Sequence, residues 1–553
     1  MPYVKIKRIR GFWRFFMLKL LKKFKYSYFF WILFYIFIFT LLFRHSLSYL
    51  DPDLGWHLRV GQEITINEAV PHENLYNYTY TGNWVDHEWL SNYLLYQAYS
   101  NYGYLFLAFL FSIIIVTILI LLNIKVKKKY PNSDFFIIFF EFFGLIAALP
   151  HLGVRIQEIG LLFILILLLI IDNFNRNKNW RVLLILPFGF YFWSCLHASF
   201  LIGLFLMGAW LVIKLFENSL VHYRKIYWLD LVNNICGKEL SIFLLFLFLS
   251  FIATLFTPYR LELYSFLSGY RDSFYQLHIV EWLPQYSIPL KYWQFIYLSV
   301  LAAIIILNFV YVLVFRKGKI NLWTNFLALF FLCLSIKSRR HFPLMFICTF
   351  TFIFDFIYLE VKESKKTNFF KFNQGILGLV VKLSLLAALV LSISLQLLST
   401  SFINKPFSSF CGEFPCEAAD FLNQNDKVYG NLNLFNYYDW GGYLNWVSPE
   451  RKLFIDGRLP QVEYAGQTFL EEYYEFFKKT TNLSEKLADY NIQLVLLPAK
   501  DKETEFKKWE RLIFKISENP LKYQNYLRDS LNKSSDWSKI YEDKVSVIYL
   551  KNN

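Results

Sequence analysis

The chain has 553 residues, 56% of them hydrophobic, and a mean hydropathy of +0.34. Soluble domains rarely carry so much apolar side chain, which excludes an ordinary water-soluble fold. A formal charge of +15 would suit nucleic acid, but here the Lys and Arg flank long apolar runs, as at membrane borders, so no nucleic-acid partner is expected.

Taken in chain order, residues 1–26 form a basic arm that includes Lys5, Lys7, Arg8 and Arg10. The apolar run after it is too long for a cleaved signal, and no small-residue cleavage site follows. A spanning helix needs roughly 20 mostly apolar residues. Such runs recur at about 27–49, 103–124, 134–150, 156–172, 182–197, 199–216, 240–257, 292–315, 322–337, 342–359 and 375–399, which predicts about eleven spans. With the arm in the cytoplasm, Lys125–Lys129, Arg176–Arg181, Arg224–Lys225, Arg316–Lys319 and Lys362–Lys371 all fall inside, as the positive-inside rule requires. The expected architecture is an α-helical polytopic domain over 27–400 and an extracytoplasmic α/β domain over 401–553. Its outer loops include one at 50–102 and a long one at 258–291. The expected location is the plasma membrane, multi-pass, with a cytoplasmic N-terminus.

The tail's β-prone runs are "KVYGNL", "KLFIDG", "IQLVLLP" and "VSVIYL", with helices predicted near 416–425, 466–479, 483–490 and 503–516. "CGEFPC" (Cys411 to Cys416) either closes a disulfide, which an outer compartment allows, or keeps two thiols.

The predicted inner loops are plain Lys-rich connectors. The outer ones carry Asp, Glu, His, Arg and Trp: "DPDLGWHLR" (Asp51 to Arg59), "WVDHEWL" (Trp84 to Leu90), "PHLGVR" (Pro150 to Arg155), His197 and Ser199, "EWLP" (Glu281 to Pro284) and "KSRRH" (Lys337 to His341). One membrane face therefore reads as the working face. Arginines beside a bilayer suit a lipid phosphate, because guanidinium grips its oxygens as a fork. Arg155, Arg339, Arg340 and Arg59 are the candidates. Carboxylates nearby suit a general base or a divalent cation such as Mg or Mn; Asp53 and Asp51 are the catalytic candidates, with His57 beside them. Trp84, His87 and Glu88 are candidates for holding substrate. Together these describe sugar transfer from a polyprenyl-phosphate carrier in the membrane lipid to an extracytoplasmic glycan, lipid or protein.

"DPDLGWHLR" resembles the first outer loop of the GT-C polytopic glycosyltransferases, which place a functional acidic residue right after the first span. The resemblance extends to the oligosaccharyltransferase catalytic subunit, whose loop is similar to Asp53, His57 and Arg59 in spacing, with the proline displaced. "YYDWGGYLNW" (Tyr437 to Trp446) and "FIDGR" (Phe454 to Arg458) resemble that family's Trp-Trp-Asp-Tyr-Gly region, where the acceptor peptide is recognised. The resemblance implies acceptor contacts from Tyr438, Asp439, Trp440, Asp456 and Arg458. A second acidic motif of the family is missing from "PHLGVR", so the metal stays unassigned.

Blander roles stand beside each of these. Asp51 or Asp53 would cap the helix that begins "LGWHLRVGQEI", and Asp86 would cap the helix through Tyr99. Arg155 would snorkel to the interface. A transporter would need ionisable groups in mid-span, and only Glu141 and Asp355 qualify. An envelope assembly protein would tolerate loss of Asp51, Asp53 and Arg155.

Overall fold

The computed structural model describes residues 26–553 except 132, 222–236, 272–273, 317–318, 364–375, 400–406, 408–409, 465, 480–481, 518–520 and 553. Residues 1–25 of the basic arm, Arg224–Lys225, residues 317–318 and residues 364–371 of the last basic loop lie outside the described residues.

The helices are α1 (Tyr26–Ser48), α2 (Leu54–Asn67), α3 (Trp89–Lys129), α4 (Asp134–Ala148), α5 (Gln157–Asn177), α6 (Ile185–Leu196), α7 (Phe200–Val221), α8 (Gly237–Thr254), α9 (Glu262–Ser268), α10 (Phe274–His278), α11 (Tyr292–Leu313), α12 (Leu322–Lys337), α13 (Phe342–Glu363) and α14 (Ile376–Ser399). Each of the eleven apolar runs falls in a helix. Among the described residues eight helices are long and apolar enough to cross a membrane, and three shorter apolar helices accompany them. The protein is a helical polytopic membrane protein. Large apolar side chains such as Phe188 and Phe256 stay exposed on the bundle surface, where lipid would cover them.

α3 is longer than its apolar run. It begins at Trp89, well before that run, and bends at Gly103, whose φ of 74° only glycine adopts freely. The bend lets one helix serve both as a span and as the floor of the first loop.

At the bundle end away from the tail, ion pairs Lys125–Asp172 (2.8 Å), Lys127–Asp134 (2.7 Å) and Lys129–Asp355 (2.7 Å) tie the spans together. The two carboxylates read as candidates for a transport path both have protein partners. Tyr35 donates to Glu141 at 3.3 Å, and Asp355 also accepts from Tyr130 at 2.6 Å.

The tail is a mixed α/β region. Its main sheet holds β1 (Leu434–Asn436), β2 (Leu494–Pro498), β3 (Trp537–Glu542) and β4 (Ser546–Lys551) in the order β1-β2-β4-β3. β1 and β2 run parallel and the other pairs antiparallel. "IQLVLLP" and "VSVIYL" form strands, as their apolar β-branched runs predict. "KVYGNL" does not: Asp426–Tyr429 is helical, and the strand starts only at Leu434. "KLFIDG" supplies a single bridge residue, Leu453, between Leu434 and Asn77. Tyr78 N donates to Leu453 O (3.2 Å) and Leu453 N to Tyr76 O (3.0 Å), so the first loop adds an edge to the tail's sheet. One apolar core also runs through both parts, from Phe43, Leu47 and Leu54 to Phe414, Leu434 and Ile548. Cys411 and Cys416 form a disulfide.

Candidate active site

The corner between α1 and α2 is set by Asp51. Its Oδ1 accepts from the Asp53 amide at 2.8 Å, and its carbonyl accepts from Leu54 N at 3.2 Å. Asp53 is not a side-chain cap. Its backbone is already helical, and its Oδ1 instead accepts from Trp56 Nε1 at 3.0 Å. Glycines let the tail close on this corner. A Cβ at Gly55 would stand 2.0 Å from Gly442 O, one at Gly442 2.1 Å from Pro52 O, and one at Gly457 2.2 Å from Asp53 Oδ1. The Gly-Gly of "DWGGYL" and the Gly of "FIDGR" are thus the surfaces that let the tail touch "DPDLG".

Arg155 braces the same corner from the loop between α4 and α5. Its Nε lies 2.6 Å from Asp51 Oδ2, an ion contact off the hydrogen-bond line. Its Nη1 donates to Glu281 Oε1 at 2.5 Å. Arg340 approaches the other Glu281 oxygen at 3.8 Å and stacks on Trp282 at 4.9 Å. Backbone bonds from Arg340 N to Glu281 O (2.9 Å) and Arg339 N to Leu283 O (3.0 Å) pin "EWLP" to "KSRRH". Burial opposes ionisation of Glu281, yet Arg155 and Arg340 win and hold it at about 2.

Of the four arginines expected to hold phosphate, the structure leaves one available. Arg155 is buried between two carboxylates. Arg339 is buried with its guanidinium on the Ser287 and Pro289 carbonyls, where it shapes the loop. Arg59 lies on the outer face of α2, paired with Glu63 at 3.0 Å and Gln62 at 2.8 Å. Arg340 is one-third exposed with Glu281 as its ion-pair partner. After burial, its charge is the influence shared by Asp51, Asp53, His57, His87, Glu88, His197 and Glu281. Groups from separate segments of the chain therefore converge on one cation.

A second line of polar groups joins α2 to the start of α3. Asn92 Nδ2 donates to both Asp86 oxygens (3.0 and 2.9 Å), so Asn92 Oδ1 accepts from His57 Nδ1 at 2.6 Å. That fixes the His57 tautomer. The His57 ring also lies tilted against Trp56, with ring centroids 3.6 Å apart and an interplanar angle of 37°. Asp86 caps its own turn, accepting from Glu88 N at 3.2 Å. Glu88 Oε1 stands 3.4 Å from His197 Nε2 and 3.6 Å from His87 Nε2. Ser199 N donates to His197 Nδ1 at 3.0 Å, which leaves the proton on Nε2, facing Glu88. Burial lowers His57 and His197 to about 3 and His87 to about 4, so all three are neutral at pH 7. Burial and then Asp51 push Asp53 up to about 7; burial and then Asp86 push Glu88 up to about 8.

The tail's candidates divide. Tyr438 donates its amide to Tyr473 Oη at 3.0 Å, and Asp53 lies within electrostatic reach of it. Asp439 is exposed to solvent, with Glu281 and Lys502 in electrostatic reach. These two lie within electrostatic reach of the site's carboxylates, Asp53 for Tyr438 and Glu281 for Asp439. Asp456 and Arg458 form a clasp. Arg458 Nε donates to Asp456 Oδ1 at 2.9 Å and its Nη2 to Asn77 Oδ1 at 3.1 Å, while its guanidinium covers Tyr76 (4.2 Å) and Trp84 (5.0 Å). Asp456 also accepts from Asn445 at 3.0 Å. Trp440 is buried and donates to Glu413 O at 3.0 Å. Trp84, Asp456 and Arg458, expected to hold substrate, are instead buried joints between first loop and tail, and Trp440 is buried within the tail.

Sequence reading passed over Asn92 and Gly457. Asn92 carried a faint signal, a polar residue on the helix that follows Asp86. Gly457 carried none beyond a turn. The carboxylates read as candidates for a divalent cation are partly committed to protein partners. Asp51 and Asp86 already spend oxygens on Arg155, amides and Asn92, and among the described residues no three His, Cys, Asp or Glu groups converge as ligands.

No family model and no curated protein sequence matches the chain. Solved structures do. The oligosaccharyltransferase of Archaeoglobus fulgidus in its apo form superposes with a TM-score of 0.50 at 10% identity, covering 85% of this chain and 70% of that one. The same enzyme tethered to an acceptor peptide containing an NVT sequon gives 0.51 at 10% identity, covering 85% and 69%. At that identity the likeness carries the fold alone: the chain shares the helical-bundle and α/β-tail architecture of these structures.

Proposed function

We propose that the protein transfers a sugar from a polyprenyl-phosphate carrier to an acceptor outside the plasma membrane, with the tail (401–553) extracytoplasmic and the arm (1–26) inside. The observation that carries this reading is that Asp53, Glu88 and Glu281, from separate segments, lie within electrostatic reach of Arg340, the accessible one of the four candidate arginines, on a GT-C architecture.

In this reading Arg340 pairs with the carrier phosphate. The sugar's C1–O bond to phosphate breaks, and the leaving phosphate needs no proton. The acceptor's nucleophile forms the new bond to C1, and Asp53 takes its proton or orients it. Asp53 suits this because its carboxylate has no ion-pair partner among the described residues and is held only by Trp56. Asp51, Arg155 and Glu281 form the rigid frame that keeps Asp53 and Arg340 apart and aimed, the kind of preorganisation that makes charge stabilisation effective. His57 acts through Asn92 as a brace. Tyr438 and Asp439 face the acceptor. The narrower alternative is transfer to a protein amide, suggested by the likeness to an enzyme solved with an acceptor peptide.

The test is donor consumption by the purified full chain in lipid nanodiscs, across a panel of radiolabelled polyprenyl-phospho-sugars. Asp53→Asn keeps the Trp56 bond and should lower turnover at least ~100-fold, the scale of a lost general base. Full turnover in that variant removes Asp53 from the role; no consumption of any donor by the wild type sinks the reading.

A further inference from the structure

The tail helix Lys508–Phe514 turns three consecutive apolar side chains outward: Leu512, Ile513 and Phe514 are 73%, 66% and 40% exposed. On a water-facing helix such a patch is a liability. Its inner face, by contrast, is fixed. Phe506 and Glu510 are buried. Glu510 Oε2 accepts from the Lys507 amide and Oε1 from the Leu290 amide, each at 2.9 Å. Lys507 Nζ lies 4.8 Å above the Tyr292 ring. Leu290 and Tyr292 bracket the start of α11, a candidate span, so the helix is tied to the level where that span leaves the bilayer.

The surroundings agree. Tyr286, Ile288, Tyr292 and Trp293 are exposed on the adjoining loop and span end, and Tyr and Trp at a span end mark the headgroup layer. Lys507, Lys508, Arg511 and Lys515 ring the apolar trio, and the one carboxylate among them, Glu510, faces inward. The nearest carboxylate before this stretch is Glu505, outside the cationic ring. An apolar centre with a cationic rim at headgroup depth complements the boundary layer of an anionic leaflet.

We propose that residues 507–515 are a membrane-surface anchor: Leu512, Ile513 and Phe514 enter the leaflet on the tail's side, and Lys507, Lys508, Arg511 and Lys515 bind anionic lipid headgroups. The tail is then held at two edges, by the Arg458 clasp on the first loop and by lipid on the α11 side. The loop 284–290, fastened by Arg339, touches this anchor through the Leu290 amide. The anchor does not depend on the transfer chemistry.

The test places an environment-sensitive fluorophore at Leu512→Cys, and separately at Ser530→Cys on the tail's exposed helix 526–533, in a Cys236→Ser, Cys333→Ser full chain. Nanodiscs carry nitroxide lipids, with phosphatidylglycerol or with phosphatidylcholine alone. The expected result is lipid quenching at 512 roughly threefold stronger than at 530, as for an interfacial helix. It should be stronger in anionic discs, and that increment should vanish in Lys508→Ala, Arg511→Ala. Quenching at 512 equal to that at 530 overturns the proposal. So does a probe shielded from both lipid nitroxide and aqueous iodide, which means a protein partner covers the face.

Discussion

Replacing Arg155 by Met keeps much of the side-chain volume and removes the charge between Asp51 and Glu281. The wild-type pair is largely desolvated: the Arg155 side chain is 5% exposed, Asp51 12% and Glu281 30%. Glu281 falls from 4.5 to about 2, and one unit is worth about 1.4 kcal/mol, so its share of stability is about 3 kcal/mol. That agrees with the 3–5 kcal/mol typical of breaking a buried pair. Because the pKa is depressed, this stability is full above 4.5 and drains as pH falls through about 2. In the variant the two unpaired carboxylates are relieved as they take up protons. The gap between wild type and Arg155→Met should therefore be widest near pH 7.5 and narrow toward pH 4. For a cooperative transition in a chain of this length, about 3 kcal/mol is a midpoint shift of about 3 °C. Thermal unfolding followed by tryptophan fluorescence in detergent at pH 7.5, 5 and 4 reads it. A gap that does not change with pH, or no gap, would refute the claim that Arg155 holds Asp51 and Glu281.

Three further outcomes are expected. Arg340→Ala should weaken donor binding at least ~10-fold and lower the unfolding midpoint less than Arg155→Met does, because Arg340 stands 3.8 Å from Glu281 against 2.5 Å for Arg155, whereas Arg339→Ala should lower the midpoint through its lost carbonyl contacts and leave donor binding unchanged; matched effects in the two variants would mean neither has the role described. Gly457→Ala drives a Cβ to 2.2 Å from Asp53 Oδ1 and should cost about 1–3 kcal/mol, with turnover lost faster than stability; wild-type kinetics would show that the tail does not seat Asp53. Turnover that needs ionised Asp53 should rise with pH through about 7 and be lost below it, and a flat pH profile between 5.5 and 8 would rule out Asp53 as base.

Much of the site was legible because ionisable residues beside a bilayer are costly and so stand out. Asp51, Asp53, His57, Arg155, Glu281 and Arg340 were all conspicuous as chemistry. What could not be read was which charge satisfies which. Arg155 and Arg340 look alike in sequence, and one is consumed by two carboxylates while the other is open to solvent. Asp456 and Arg458, two residues apart on "DGR", look like a functional pair, yet they bond each other and Asn77. The tail strand expected at "KVYGNL" failed for a related reason: short apolar runs fit helix or strand equally, and packing chose between them.

The sequence by itself determined that the chain is a helical polytopic membrane protein with a mixed α/β C-terminal region, and it singled out the ionisable residues beside the apolar runs. Each follows from local cost, since apolar runs of about 20 residues have few homes outside lipid and charges beside them have few innocent uses. Only the tertiary structure decided that Arg340 is the one of the four arginines left available, that Glu88 and Asp53 are crowded enough to hold protons near neutrality, and that bare glycines let the tail rest on the first loop. Those outcomes depend on distances between segments hundreds of residues apart, and pairwise electrostatics and close packing are set by such distances rather than by composition.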